Sequence, residues 1–186
     1  MSNLYLVTDG SAVPGFKSAF DSASAFVIIK DYDFNYYSST LLTDHTNNYA
    51  EMHAIYSGTK YIIENMEDID TYDKLVIVTD SDLCHKSLTV WMKGWLKKAK
   101  NEKLINSSGE EVKNQELIKS TYINILTLML EIPVLVCHIN SHQSKKQIPK
   151  MYEKMNVKIP EMTYDEFEMI FKANDMCDTL AKDALK

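Results

Sequence analysis

Two segments of the chain end in the same way. An apolar, β-branched run beginning at Leu4 closes on Thr8-Asp9-Gly10-Ser11, and another beginning at Leu75 closes on Thr79-Asp80-Ser81-Asp82. A short apolar run bounded by turn residues reads as a strand buried on both faces. As neighbouring strands, the two would set Asp9 and Asp80 side by side near the middle of a sheet. Charge repulsion and desolvation both oppose such a pair, and a cation relieves both. Two further acids sit beside apolar helical stripes: Glu51 near Ala54, Ile55 and Gly58, and Asp178 near Cys177, Leu180, Ala181 and Ala184. Singly, each reads better as an ordinary helix acid, Glu51 being favoured by the helix dipole. Together, four acids converging from two strands and two helices form a hard oxygen set suited to Mg²⁺ or Mn²⁺, which keep water and accept phosphate. Two such ions about 4 Å apart can activate a water and stabilise a leaving oxygen in phosphodiester cleavage.

The elements that must position these acids are legible from periodicity. After the first strand, residues 9–20 read as a turn region with Pro14 and Gly15, followed by strands at 22–30 and 34–42 joined by Asp31-Tyr32-Asp33. Residues 47–66 have helical spacing, with Ala50, Ala54, Ile55, Gly58, Tyr61 and Ile62 on one face. A strand at 74–79, a helix over 81–103 with a break at Gly94, and a polar loop over 103–113 follow. A helix at 114–131 has Ile118, Tyr122, Ile125 and Met129 as its stripe, and a strand at 133–139 comes next. Thr163-Tyr164-Asp165-Glu166 is a capping-box pattern opening a short helix, and residues 174–185 form the last helix. This order predicts an α/β domain, a mixed sheet covered by helices.

Composition narrows the class. The chain has 186 residues, 45% of them hydrophobic, enough for a single domain over 1–186. It shows neither a bilayer-length apolar stretch nor a signal-peptide pattern. Three scattered cysteines, Cys84, Cys137 and Cys177, read as reduced thiols in a cytoplasmic setting. All 20 basic residues are lysine, against 26 acids and a net charge of −6. Any grip on phosphate must therefore come from local clusters of point charges. One cluster is Lys93, Lys97, Lys98, Lys100 and Lys103; the other is Lys145, Lys146, Lys150, Lys154 and Lys158.

These motifs, in this order, resemble the type 1 ribonucleases H, which cut RNA in RNA–DNA hybrids. The resemblance rests on Thr8-Asp9-Gly10-Ser11, Thr46-Asn47-Asn48-Tyr49-Ala50-Glu51, Thr79-Asp80-Ser81, His142, and Asn174 to Ala181 with Asp178 in its acidic position. It implies a five-stranded mixed sheet, three strands antiparallel and then two parallel. Helices flank the sheet, with a basic protrusion over 91–113 and an enlarged loop before the last helix. It assigns Asp9, Glu51, Asp80 and Asp178 to two Mg²⁺ ions, for which Mn²⁺ can substitute, with Asp175 competing for the fourth place. His142 takes the position of a mobile histidine that transfers a proton or aids product release. Gly10 and Ser11 fall where a bound backbone approaches, Asn47 and Asn48 where amides reach 2′-hydroxyls or base edges, and Thr46 where some relatives hold a DNA phosphate. Trp91 and Trp95, one helical turn apart, together with Lys93, Lys97, Lys98, Lys100 and Asn114, match the handle that grips the hybrid. The implied reaction is endonucleolytic, leaving 5′-phosphate and 3′-hydroxyl ends. The implied partner is the hybrid duplex, met by a monomer needing no protein partner.

Two features depart from that pattern. Asp82 stands where relatives often carry a polar amide, so close to Asp80 that it could alter metal affinity or weaken substrate contact. The 143–173 segment is an insertion: a helical lid carrying His142, a second basic contact, or a plain surface addition. A nuclease of the same fold acting on DNA, such as a resolvase or exonuclease, and a non-catalytic hybrid-binding module both remain open readings.

Overall fold

The computed structural model describes residues 3–14, 20–140 and 145–186. Five strands, β1 (Leu4–Pro14), β2 (Phe20–Lys30), β3 (Asp33–Leu42), β4 (Leu75–Thr79) and β5 (Val134–His138), form one sheet in the order β3-β2-β1-β4-β5. The β1–β2 and β2–β3 pairs are antiparallel, and β1–β4 and β4–β5 are parallel. This is the expected mixed sheet. The helices are α1 (Asn47–Asn65), α2 (Asp82–Lys86), α3 (Met92–Lys98), α4 (Gln115–Leu128), α5 (Ile148–Asn156) and α6 (Tyr164–Ala184). Among the described residues, no helix is long and apolar enough to cross a membrane.

Strand alternation sorts the core into two layers. Leu4, Leu6 and Ile77 pack with Met52, Ile55 and Ile62 of α1 and with Ile118 and Ile125 of α4. Tyr5, Val7 and Val78 pack on the other face with Met155 of α5 and with Phe167, Ile170 and Cys177 of α6. Gly58 lets α1 sit down on the sheet, since a Cβ there would lie 2.5 Å from Leu6 Cδ1.

Several local expectations change. β1 continues through Asp9 to Pro14 and β2 begins at Phe20, in place of the expected turn over 9–20, because residues 10–14 pair antiparallel with residues 20–24. The long helix over 81–103 breaks at a π-helical turn, Ser87–Trp91, rather than at Gly94, and ends at Lys98. In α4 the buried stripe is Ile118, Thr121, Ile125 and Leu128; Met129 is exposed. The capping box at Thr163 and Glu166 is present, but it opens one continuous 21-residue helix rather than a short helix before a separate last one. Residues 145–163 fold as a short 3₁₀ turn, α5 and a connection. This segment is fastened by a Lys74–Glu161 ion pair and by burial of Met155, Ile159 and Met162.

Candidate active site

The parallel register pairs Thr8 with Thr79, so Asp9 and Asp80 emerge together from adjacent strands. Glu51, in the second turn of α1, joins them. One carboxylate oxygen from each of the three acids lies within 4.8 Å of the other two. Gly10 makes this convergence possible. A Cβ at Gly10 would lie 2.4 Å from the Glu51 nitrogen and 2.7 Å from the Ala50 carbonyl carbon, so only glycine lets the α1 backbone pass here. The close approach at Gly10 is thus made by the protein's own helix. The Gly10 N–H donates to Asp9 Oδ1 at 2.7 Å, and Asn47 Nδ2 donates to Glu51 Oε1 at 3.3 Å.

The electrostatics are those of acids short of positive charge. Burial, then the Asp80 charge, push the Asp9 carboxyl up to about 8. Burial, then Asp9 and Asp80, raise Glu51 well above the usual carboxylate range. Glu51 Oε2 is buried and has no hydrogen-bond partner among the described residues. Three converging hard oxygen donors, one of them unshared, fit a small divalent cation.

Asp178 lies outside this trio but close enough to Asp9 to raise its pKa. It is half-exposed on α6 and receives Lys182 Nζ at 2.6 Å. Asp175 is exposed on the same helix. His142 lies outside the described residues. His138, at the end of β5, sets its Nε2 3.0 Å from the Asp80 carbonyl oxygen. Asp82 turns to solvent and pairs with Lys86 at 2.6 Å, so the extra carboxylate does not join the trio.

A second constellation lies on the α1–α4 side. Thr46, Asn48, Trp91, Trp95 and Asn114 line one groove of about 420 Å³. Thr46 is the N-cap of α1, its Oγ1 accepting from Tyr49 N at 3.3 Å. Asn114 precedes α4 in a left-handed conformation (φ 56°). The tryptophan rings sit 5.7 Å apart, Trp91 closing the π turn and Trp95 following in α3, and such a helical irregularity is common at functional sites. Lys98 lines an adjoining groove on the same tryptophan pair. Lys93, Lys97 and Lys100 are exposed beyond it, Asn47 is exposed at the start of α1, and Ser11 is half-buried on β1. Sequence reading missed Asn106, which lines both grooves, and Ser87, whose buried Oγ has no partner among the described residues. Asn106 lies in an aperiodic loop, and the Ser87 position depends on the π turn; neither carries a signal of its own.

A model of the RNase H family matches residues 1–186. No curated protein matches the chain. Among solved structures, the RNase H domain of prototype foamy virus is 17% identical with a TM-score of 0.63, over 97% of this chain and 93% of that one. RNase H1 from Halobacterium salinarum is 14% identical with a TM-score of 0.55, covering 99% and 98%. The foamy viral protease–reverse transcriptase in complex with RNA/DNA hybrid is 18% identical with a TM-score of 0.67. There the match covers 97% of this chain and 20% of that one.

Proposed function

This chain belongs to the RNase H family, and from that premise we propose that it cuts the RNA strand of RNA–DNA hybrids endonucleolytically, leaving 5′-phosphate and 3′-hydroxyl ends. The observation that carries this reading is the convergence of Asp9, Glu51 and Asp80 within 4.8 Å. These three would hold a pair of Mg²⁺ ions, with Mn²⁺ able to replace them and with Asp178 as fourth ligand once Lys182 releases it. When bound, such a pair supplies Lewis-acid stabilisation to the attacking and departing oxygens of an in-line displacement.

The protein's own residues do the rest. Asn47 holds Glu51 in place and, with Asn48, offers amides to 2′-hydroxyls, the groups that distinguish RNA from DNA. Thr46 and Asn114 frame a phosphate of the uncut strand, and Trp91 and Trp95 support its sugars and bases. Lys93, Lys97, Lys98 and Lys100 add counterion-release affinity. Water attacks phosphorus and releases a proton to solvent, the bond to the 3′ oxygen breaks, and His142 delivers the proton that this oxygen takes up. The three free, buried cysteines are consistent with residence in a reducing cytoplasm.

The test pairs calorimetric Mg²⁺ titration with end analysis of cleaved hybrid for the wild type, Asp178→Asn and Asp175→Asn. Weakened Mg²⁺ binding and lost cleavage in Asp178→Asn alone would support the fourth-ligand assignment. The same losses in Asp175→Asn alone would move the assignment, and 3′-phosphate ends would refute the hydrolytic scheme.

A further inference from the structure

A second groove, of about 570 Å³, opens on the other side of the acidic trio from the tryptophan groove. His138, Ile139 and Asn140 line it from the end of β5, and Met151, Lys154 and Lys158 from α5 and the residues after it. Its position follows from the sheet. His138 pairs in register with Thr79, the residue before Asp80, so the groove begins one strand spacing (about 4.8 Å) beyond the acids. His138 Nε2 meets the Asp80 carbonyl oxygen and forms the wall between the two.

The groove is built for an anion. Lys154, near the end of α5, and Lys158, just past it, both line the groove, and among the described residues no carboxylate lines it. Among the described residues, neither lysine is in an ion pair. Lys158 lines the groove from an exposed position, close enough to His85 and Cys137 for its charge to favour lower pKa values in both. Met155 and Ile139 form a buried apolar floor, which strengthens the field of the ammonium groups above it. The support is rigid: Tyr152 donates its hydroxyl to the Met162 carbonyl oxygen at 3.0 Å, and Ile159 is fully buried. The tryptophan groove belongs to the α1–α4 layer and α5 to the opposite one, so the acids stand between two phosphate-competent surfaces.

Resting on the hybrid-cleavage reading, we propose that the α5 groove holds a backbone phosphate of the cleaved strand, next to the one at the acids. The inserted segment thereby gives the cut strand an anchor of its own.

The test measures hybrid affinity against salt for the wild type and for Lys154→Gln/Lys158→Gln. Lys60→Gln/Lys172→Gln, on the outer surfaces of α1 and α6, is the charge-matched control. Hybrids carrying one uncharged methylphosphonate at each position near the cut are compared with the fully charged duplex, and inorganic phosphate serves as competitor. The groove variant should bind hybrid about three- to tenfold more weakly, with the salt slope reduced by about 1 to 2, while the control stays near wild type. One methylphosphonate flanking the cut on the RNA strand should weaken the wild type equally and the groove variant no further. An unchanged affinity and slope in a groove variant that still cuts hybrid would overturn this proposal and leave the hybrid reading standing. So would methylphosphonate sensitivity confined to the DNA strand, or competition by inorganic phosphate that leaves hybrid binding untouched. A wild type that neither binds nor cuts hybrid would overturn both.

Discussion

The Asp9 carboxyl titrates near 8 in the folded protein, against an ordinary value of 3.8, because it is buried beside Asp80. The folded state therefore binds more protons than the unfolded chain between those limits, and stability must fall as pH rises through that window. In a chelator, thermal melts should drop by roughly 5 °C between pH 5 and pH 8. Asp9→Asn should flatten the dependence, and Mg²⁺ should restore the wild-type loss at pH 8 by binding the folded state alone. A flat profile in the wild type would show that the acids do not strain one another. Gly10 makes an equally local demand. Gly10→Ala places a methyl against the α1 backbone, and should cost about 1–3 kcal/mol in denaturant melts and most of the activity, by pushing Glu51 away from Asp9.

Glu166 joins two elements. Its buried carboxylate accepts the Thr163 N–H at 2.7 Å, the Thr163 hydroxyl at 3.0 Å and the Tyr5 hydroxyl at 3.0 Å, tying the start of α6 to β1. Glu166→Ala should cost about 2 kcal/mol in chemical denaturation, while Mg²⁺ affinity changes little, because Asp178 lies more than two turns further along α6. Loss of metal binding with unchanged stability would reverse that division. The basic protrusion makes a separate prediction: Lys97→Ala/Lys98→Ala/Lys100→Ala should weaken hybrid binding and lower its salt slope by up to about 3, measured by anisotropy across ionic strengths. An unchanged slope would make α3 an ordinary solvated helix. These elements were legible to different degrees. The echo of Thr8-Asp9 in Thr79-Asp80 foretold two buried strands because both runs are apolar throughout; that they are neighbours follows from the parallel pairing of β1 with β4. The break after α2 was misplaced because a glycine advertises flexibility, whereas a π turn arises from packing and leaves no residue signature. The stripe of α4 moved because the helix ends at Leu128, which leaves Met129 as its exposed C-cap.

Across the whole molecule, the sheet order makes β1 and β4 neighbours and gathers the three acids where β4 ends beside the middle of β1 and α1 crosses. Asp9, Glu51 and Asp80 could be found from sequence because buried carboxylates are costly without a counter-charge. Asn106 could not, since its role depends on where its loop comes to rest; the lysines of 145–158 stand out as a cluster, but the groove that Lys154 and Lys158 line depends on where the inserted helix packs. The most direct measurement follows both strands of an end-labelled RNA–DNA hybrid in Mg²⁺, beside duplex RNA and duplex DNA, with Asp80→Asn as control. Cleavage confined to the RNA of the hybrid, and reduced by a factor of a thousand or more (roughly 4 kcal/mol of barrier) in Asp80→Asn, is the predicted result. Cleavage of the DNA strand or of duplex DNA, or undiminished cleavage by Asp80→Asn, would contradict the account.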